Sequence, residues 1–110
     1  MEIARGAIVI VSARGAYTGK PRPALVVQAD VFNPTHASVT ICPITMARID
    51  APLFRVTLPP GERTSLKSAS QVMVDKIVCV PRASIVRQVG CCDDATSRAV
   101  EDALRGWLGL

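Results

Sequence analysis

Short apolar runs, broken by glycine and proline, fill most of the chain, and one helical pattern closes it. "AIVIVSA", Ala7 to Ala13, is the first run, rich in the branched residues that suit a pleated strand. "RGAYTGKPRP" follows as a loop with two glycines and two prolines. "ALVVQA", Ala24 to Ala29, predicts a second strand, and "DVFNPTHA" a turn region. "SVTICPIT", Ser38 to Thr45, predicts a third, whose Pro43 points to an edge, an end or a bulge. A fourth runs from Leu53 to Leu58 and stops at the breaker "PPG". Ser70 to Val80, "SQVMVDKIVCV", reads as the longest strand, and "SIVRQVG" as a short sixth.

The tail changes period. Val100, Ala103, Leu104, Trp107 and Leu108 recur at helical spacing and make one apolar stripe. Asp93 and Asp94 suit the N-cap and the positive end of the helix dipole, and Gly109 suits the stop. Strands first and a helix last predict a mainly β protein, an antiparallel barrel-like sheet with one packed C-terminal helix. Residues 1–110 read as a single domain, long enough to bury a core without staples.

Composition adds little to the fold and something to the function. Aromatic residues make up only 4% of the chain, so Val, Ile, Leu and Ala must build the core. The net charge is +4, which favours an anionic partner such as nucleic acid. No apolar run approaches a membrane span and no signal peptide is evident, so a cytoplasmic protein is expected. Cys42, Cys79, Cys91 and Cys92 lack the spacing of a zinc or redox motif. Cys42 and Cys79, inside apolar runs, read as small hydrophobes, and no metal or cofactor is expected.

His36 is the only histidine, which excludes a two-histidine nuclease; its turn setting suits a structural role. The carboxylates Asp93, Asp94, Glu101 and Asp102 are explained by a cap and a solvated helix face. Arg22 is different. Pro21 and Pro23 fix their own φ, and Pro23 forces Arg22 into an extended backbone. Its guanidinium leaves from a stiff mount, suited to meeting a phosphate in fixed geometry. The alternative is a surface ion pair at the end of a loop. Thr45 ends the third strand, where a hydroxyl can donate to a phosphate oxygen or simply close the strand.

Taken together, these blocks resemble the MazF/PemK family of toxin endoribonucleases, or mRNA interferases, of type II toxin–antitoxin systems. The resemblance covers almost the whole chain: "RGAIVIVSA", then "GKPRPALVVQAD", "TICPIT", "PLFRVTL", "SQVMVDKIVCVPRASI" and the tail from "VGCC" onward. It implies an SH3-like antiparallel β-barrel of the CcdB/PemK-like kind, a homodimer, and a cognate antitoxin bound across the RNA groove. It implies metal-independent cleavage of single-stranded RNA at short motifs by the RNA's own 2′-hydroxyl, leaving a cyclic phosphate and a 5′-hydroxyl. Arg22 matches the family's catalytic arginine and Thr45 its catalytic threonine. Where many members carry an acidic residue and then Gln, this chain has Asp75 and Lys76.

A guanidinium keeps its proton near neutral pH, so Arg22 is expected to stabilise charge rather than move a proton. No residue declares itself as the base. For RNA binding the first loop offers Arg14, Lys20 and Tyr17, the last either stacking a base or resting on the barrel. Arg48 follows Thr45, and Gln71 and Lys76 join the path if the long strand lines the groove. Two alternatives remain: a CcdB-like gyrase-poisoning toxin, suggested by the terminal "GWLGL", and a non-catalytic RNA-binding barrel.

Overall fold

The computed structural model describes residues 2–12 and 20–110. Among these residues seven strands and one α-helix follow in order: β1 (Ala7–Val11), β2 (Arg22–Val26), β3 (Ser38–Thr45), β4 (Arg55–Leu58), β5 (Ser70–Met73), β6 (Val78–Pro81), β7 (Ile85–Cys91) and α1 (Asp94–Leu108). All described pairings are antiparallel, in the order β4-β5-β3-β2-β1-β7, with β6 also on β3.

The third strand spans the residues expected of it. The long strand does not. Ser70–Val80 is interrupted by a 3₁₀ turn at Val74–Lys76, because β3 changes partner along one edge. Ile44 and Thr45 pair with Val72 and Gln71 of β5, whereas Ser38 to Ile41 pair with Pro81 to Val78 of β6. The turn takes up the extra residues between the two ladders. The sixth run is a full strand, seven residues long, paired along β1.

Alternation along β1, β2 and β3 feeds two cores, one on each face. Ala7, Val9, Val11, Ala24, Val26, Val39 and Ile41 join Val80 and Ile85 on one side. Ile8, Leu25, Cys42 and Ile44 join Leu58, Val72, Val74, Val100 and Ala103 on the other, beneath α1. Period-2 alternation thus separates two apolar sets here rather than core from solvent.

Barrel closure depends on Gly90. The Cys91 N–H donates to Arg63 O at 2.9 Å, and the Ser65 hydroxyl donates to Val89 O. A Cβ on Gly90 would fall on the carbonyl oxygens of Arg63 and Thr64, so this approach admits only glycine.

Asp93 caps α1 by accepting from the Thr96 N–H at 2.8 Å, and Gly109 ends it with a left-handed φ of 72°. The apolar stripe is covered only in part. Val100 and Ala103 are buried and Leu104 half-buried, but Trp107 and Leu108 are 49% and 52% exposed. Trp107 rests against Phe54 instead, ring centroids 5.7 Å apart. Cys79 likewise departs from expectation: it lies on the outer side of β6 and is exposed, while Cys42 is buried. None of the described helices is long and apolar enough to cross a membrane.

Candidate functional site

Arg22 opens β2 and is solvent-exposed; it pairs with Val11 of β1. On its other side β2 meets β3 through Val26–Ile41, Leu25–Cys42 and Ala24–Pro43. The last of these pairs lies two residues inward of Arg22 on β2 and two inward of Thr45 on β3, so both residues lie at the same end of the two strands. Both belong by alternation to the face that carries Ala24, Val26, Val39 and Ile41. Arg22 and Thr45 thus lie at the same end of adjacent strands.

Thr45 is half-buried, and its Oγ1 accepts the Ala47 N–H at 3.1 Å. A hydroxyl offers one proton and two lone pairs. With a lone pair occupied by the backbone, the Thr45 proton is available for an oxygen placed outside the strand end.

The loop after Thr45 carries Arg48, exposed and with no ion-pair partner among the described residues. Met46, Ile49 and Leu53 on the same loop are also exposed. Gln71 lies across from Thr45 in the β3–β5 ladder and is only 8% exposed. Its Nε2 donates to Ile49 O at 2.8 Å, and its Oε1 accepts from the Ile49 N–H at 3.1 Å and from Arg55 Nη1 at 3.3 Å. Its amide is thus spent on the loop. Arg55 Nε stands 3.7 Å from Asp75 Oδ1, with both side chains largely buried. Sequence reasoning missed Arg55, whose partners lie across another strand; an arginine in an apolar strand pattern was the available signal.

Lys20 is exposed two residues before Arg22, at the same end of the sheet. Lys76 is exposed on the 3₁₀ turn, its Nζ 3.6 Å from Asp75 Oδ2, and it connects to the strand-end group only through that carboxylate. Arg14 and Tyr17 lie outside the described residues. What the described residues present is a cationic strand end, Lys20, Arg22 and Arg48, around an oriented hydroxyl. That set can bind and polarise a phosphodiester.

A curated protein of Mycolicibacterium smegmatis, "Probable endoribonuclease MazF", is 44% identical over 106 residues, 96% of each chain. Among solved structures, the Mycobacterium tuberculosis toxin MazF-mt6 superposes with a TM-score of 0.81 at 24% identity, over 94% of this chain and 97% of that one. A mycobacterial endoribonuclease solved with its cognate antitoxin gives 0.82 at 24% identity, over 98% and 96%. A MazE–MazF complex from Deinococcus radiodurans gives 0.82 at 23% identity, over 100% and 98%. These likenesses bear out the expected CcdB/PemK-like fold and lend no support to the gyrase-poisoning alternative. Residues 4–108 match the family described as PemK-like, MazF-like toxin of type II toxin-antitoxin system, and this chain belongs to that family.

Proposed function

We propose that this chain is a toxin endoribonuclease that cuts single-stranded RNA, with Arg22 and Thr45 as the groups that stabilise the transition state. The observation that supports the reading is the β2–β3 ladder, which leaves exposed Arg22 and a Thr45 hydroxyl oriented by the Ala47 N–H at the same end of neighbouring strands. The name of the 44%-identical relative supports the reaction class, and the neighbours solved with antitoxins support a protein inhibitor.

In this mechanism the RNA 2′-oxygen attacks the adjacent phosphorus and the 5′-oxygen leaves, giving a 2′,3′-cyclic phosphate and a 5′-hydroxyl. One proton leaves the 2′-hydroxyl and one reaches the 5′-oxygen. Negative charge builds on the non-bridging oxygens. The Arg22 fork and the Thr45 proton address those oxygens. Losing one such donor costs about 100- to 1,000-fold in rate. Lys20, Arg48 and Lys76 track the backbone, and Arg14 and Tyr17, outside the described residues, are the further RNA contacts that the sequence offers. The protein works in the cytoplasm as a homodimer, for which exposed Met46, Ile49 and Leu53 supply apolar surface. An acidic antitoxin segment competes with RNA for the basic strand end.

The test uses purified protein, a long RNA and excess chelator. Cleavage should continue with chelator and yield cyclic phosphate ends. It should fail where the residue 5′ to the cut lacks its 2′-hydroxyl. Arg22→Lys keeps the charge and loses the planar fork, so its cleavage rate should fall at least 100-fold while RNA affinity changes only a few-fold. Parental cleavage by Arg22→Lys, or normal cutting of the 2′-deoxy RNA, would refute the reading.

A further inference from the structure

Gln71 uses its side chain as if it were a short piece of strand. It bonds both the N–H and the C=O of Ile49, as a neighbouring backbone would. Its own backbone meanwhile pairs with Thr45 in the β3–β5 ladder. One residue therefore fixes both ends of the segment from Thr45 to Ile49, with Arg48 between them.

Arg55 and Asp75 stand behind Gln71. Arg55 Nη1 reaches Gln71 Oε1 at 3.3 Å and Ala47 O at 3.5 Å. Its Nε faces Asp75 Oδ1 at 3.7 Å, and neither of these two buried atoms has a hydrogen bond. A buried pair that forgoes hydrogen bonds is a poor source of stability. Its charge does hold the guanidinium where it reaches the loop. The last link is the Ala47 N–H, which fixes the polarity of the Thr45 hydroxyl.

We propose that Gln71, backed by Arg55 and Asp75, is a positioning residue that holds the 45–49 segment in its cutting geometry and makes no RNA contact of its own. This rests on the endoribonuclease reading above. It assigns Asp75 to holding Arg55 rather than to taking the 2′-proton.

The assay compares the parent with Gln71→Leu, Gln71→Glu, Asp75→Asn and Arg22→Lys, each measured for kcat, RNA affinity and amide exchange at Ile49. Gln71→Leu suits a buried site and removes all three side-chain bonds. Its kcat should fall about 10- to 100-fold, the scale of a misplacement near 1 Å, with RNA Kd within about threefold. The Ile49 amide should exchange faster. Gln71→Glu keeps the acceptor for the Ile49 N–H and for Arg55, so it should recover part of both losses. Asp75→Asn keeps an oxygen facing Arg55 and should lose less than tenfold, with the parental pH profile.

If Gln71→Leu weakens RNA binding in step with the rate, or leaves both the rate and the Ile49 exchange as in the parent, the proposal is overturned. Loss of the acidic limb of the pH profile in Asp75→Asn would overturn the assignment of Asp75. Should Gln71→Leu fail to fold, Gln71→Glu and Arg55→Lys read the same split between kcat and affinity. Arg22→Lys separates the two ideas. If it keeps parental activity, the endoribonuclease site itself is wrong. If it is inactive while Gln71→Leu is normal in rate and exchange, only the positioning role falls.

Discussion

Replacing Gly90 with alanine should open the barrel seam at a cost that can be worked from its neighbours. The added Cβ meets the backbone oxygens of Arg63 and Thr64, not the far end of a flexible side chain. Overpacking of this kind costs about 1–3 kcal/mol. Moving those carbonyls also threatens the bond from the Cys91 N–H to Arg63 O, worth about 1 kcal/mol. The sum is about 2–4 kcal/mol. Unfolding entropy for a chain of this length makes 1 kcal/mol equal to roughly 4 °C in Tm, so the midpoint should fall by roughly 8–16 °C. Gly106→Ala is the matched control. Gly106 lies within α1, exposed, with nothing near its absent Cβ. Alanine there should raise stability by up to about 1 kcal/mol, or roughly 4 °C. Thermal melts at one fixed protein concentration read both, since self-association would shift Tm with concentration. A Gly90→Ala variant melting within about 2 °C of the parent would refute the claim that the seam closes through that contact.

Two further outcomes follow from titrating groups. The bond from the Thr96 N–H, more than any nearby charge, holds the Asp93 carboxyl below its usual range. A lowered folded value means that the cap stabilises above the ordinary carboxylate pKa and is lost as pH falls through the lowered one. The Tm gap between parent and Asp93→Ala should be open at pH 7 and begin to close below about pH 4. Burial, with the Asp75 charge adding to it, pushes the Cys42 thiol up to about 12. A thiol reagent at pH 8 should therefore label exposed Cys79 in the folded protein and reach Cys42 only as the chain unfolds; equal labelling rates would contradict the packing.

Much of the architecture was legible because local pattern and tertiary role agree. Ser38–Thr45 was bounded correctly, and the cap and stop of α1 were read from Asp93 and Gly109. The failures have a common cause. "VMVDKIVCV" carries strand-forming residues throughout, so nothing local marks the place where β3 changes partner. The helical period shows that Trp107 and Leu108 share a face with Val100, but not whether the fold supplies anything to cover that end. At the site, Arg22 stands out by the prolines on either side of it, whereas Thr45 gains weight only from the family resemblance. Gln71 was expected on the RNA path, and its bonds to Ile49 were not legible, because only the loop's path brings that residue, 22 positions away, near.

The two-faced burial of β1 and β2 has a cost in specificity. In most sheets a slip of one residue would expose the apolar face, and that penalty fixes the pairing. "AIVIV" against "RPALV" is apolar on both faces, so a slip would exchange one core's residues for the other's. Hydrophobicity alone then distinguishes the correct pairing mainly by size, Leu25 and Ile8 against Ala24 and Ala7. The prolines supply a sharper penalty. Pro43 lies between the last pair with β6, at Ile41, and the first with β5, at Ile44; Pro23 lies just past the last pair between β2 and β3. Each sits where β3 or β2 asks no N–H of it along that edge, and a slip would carry it into a ladder that does. The same two rings that mark out the strand end holding Arg22 and Thr45 thus also act as alignment pegs, guarding the folding chain against mispairing.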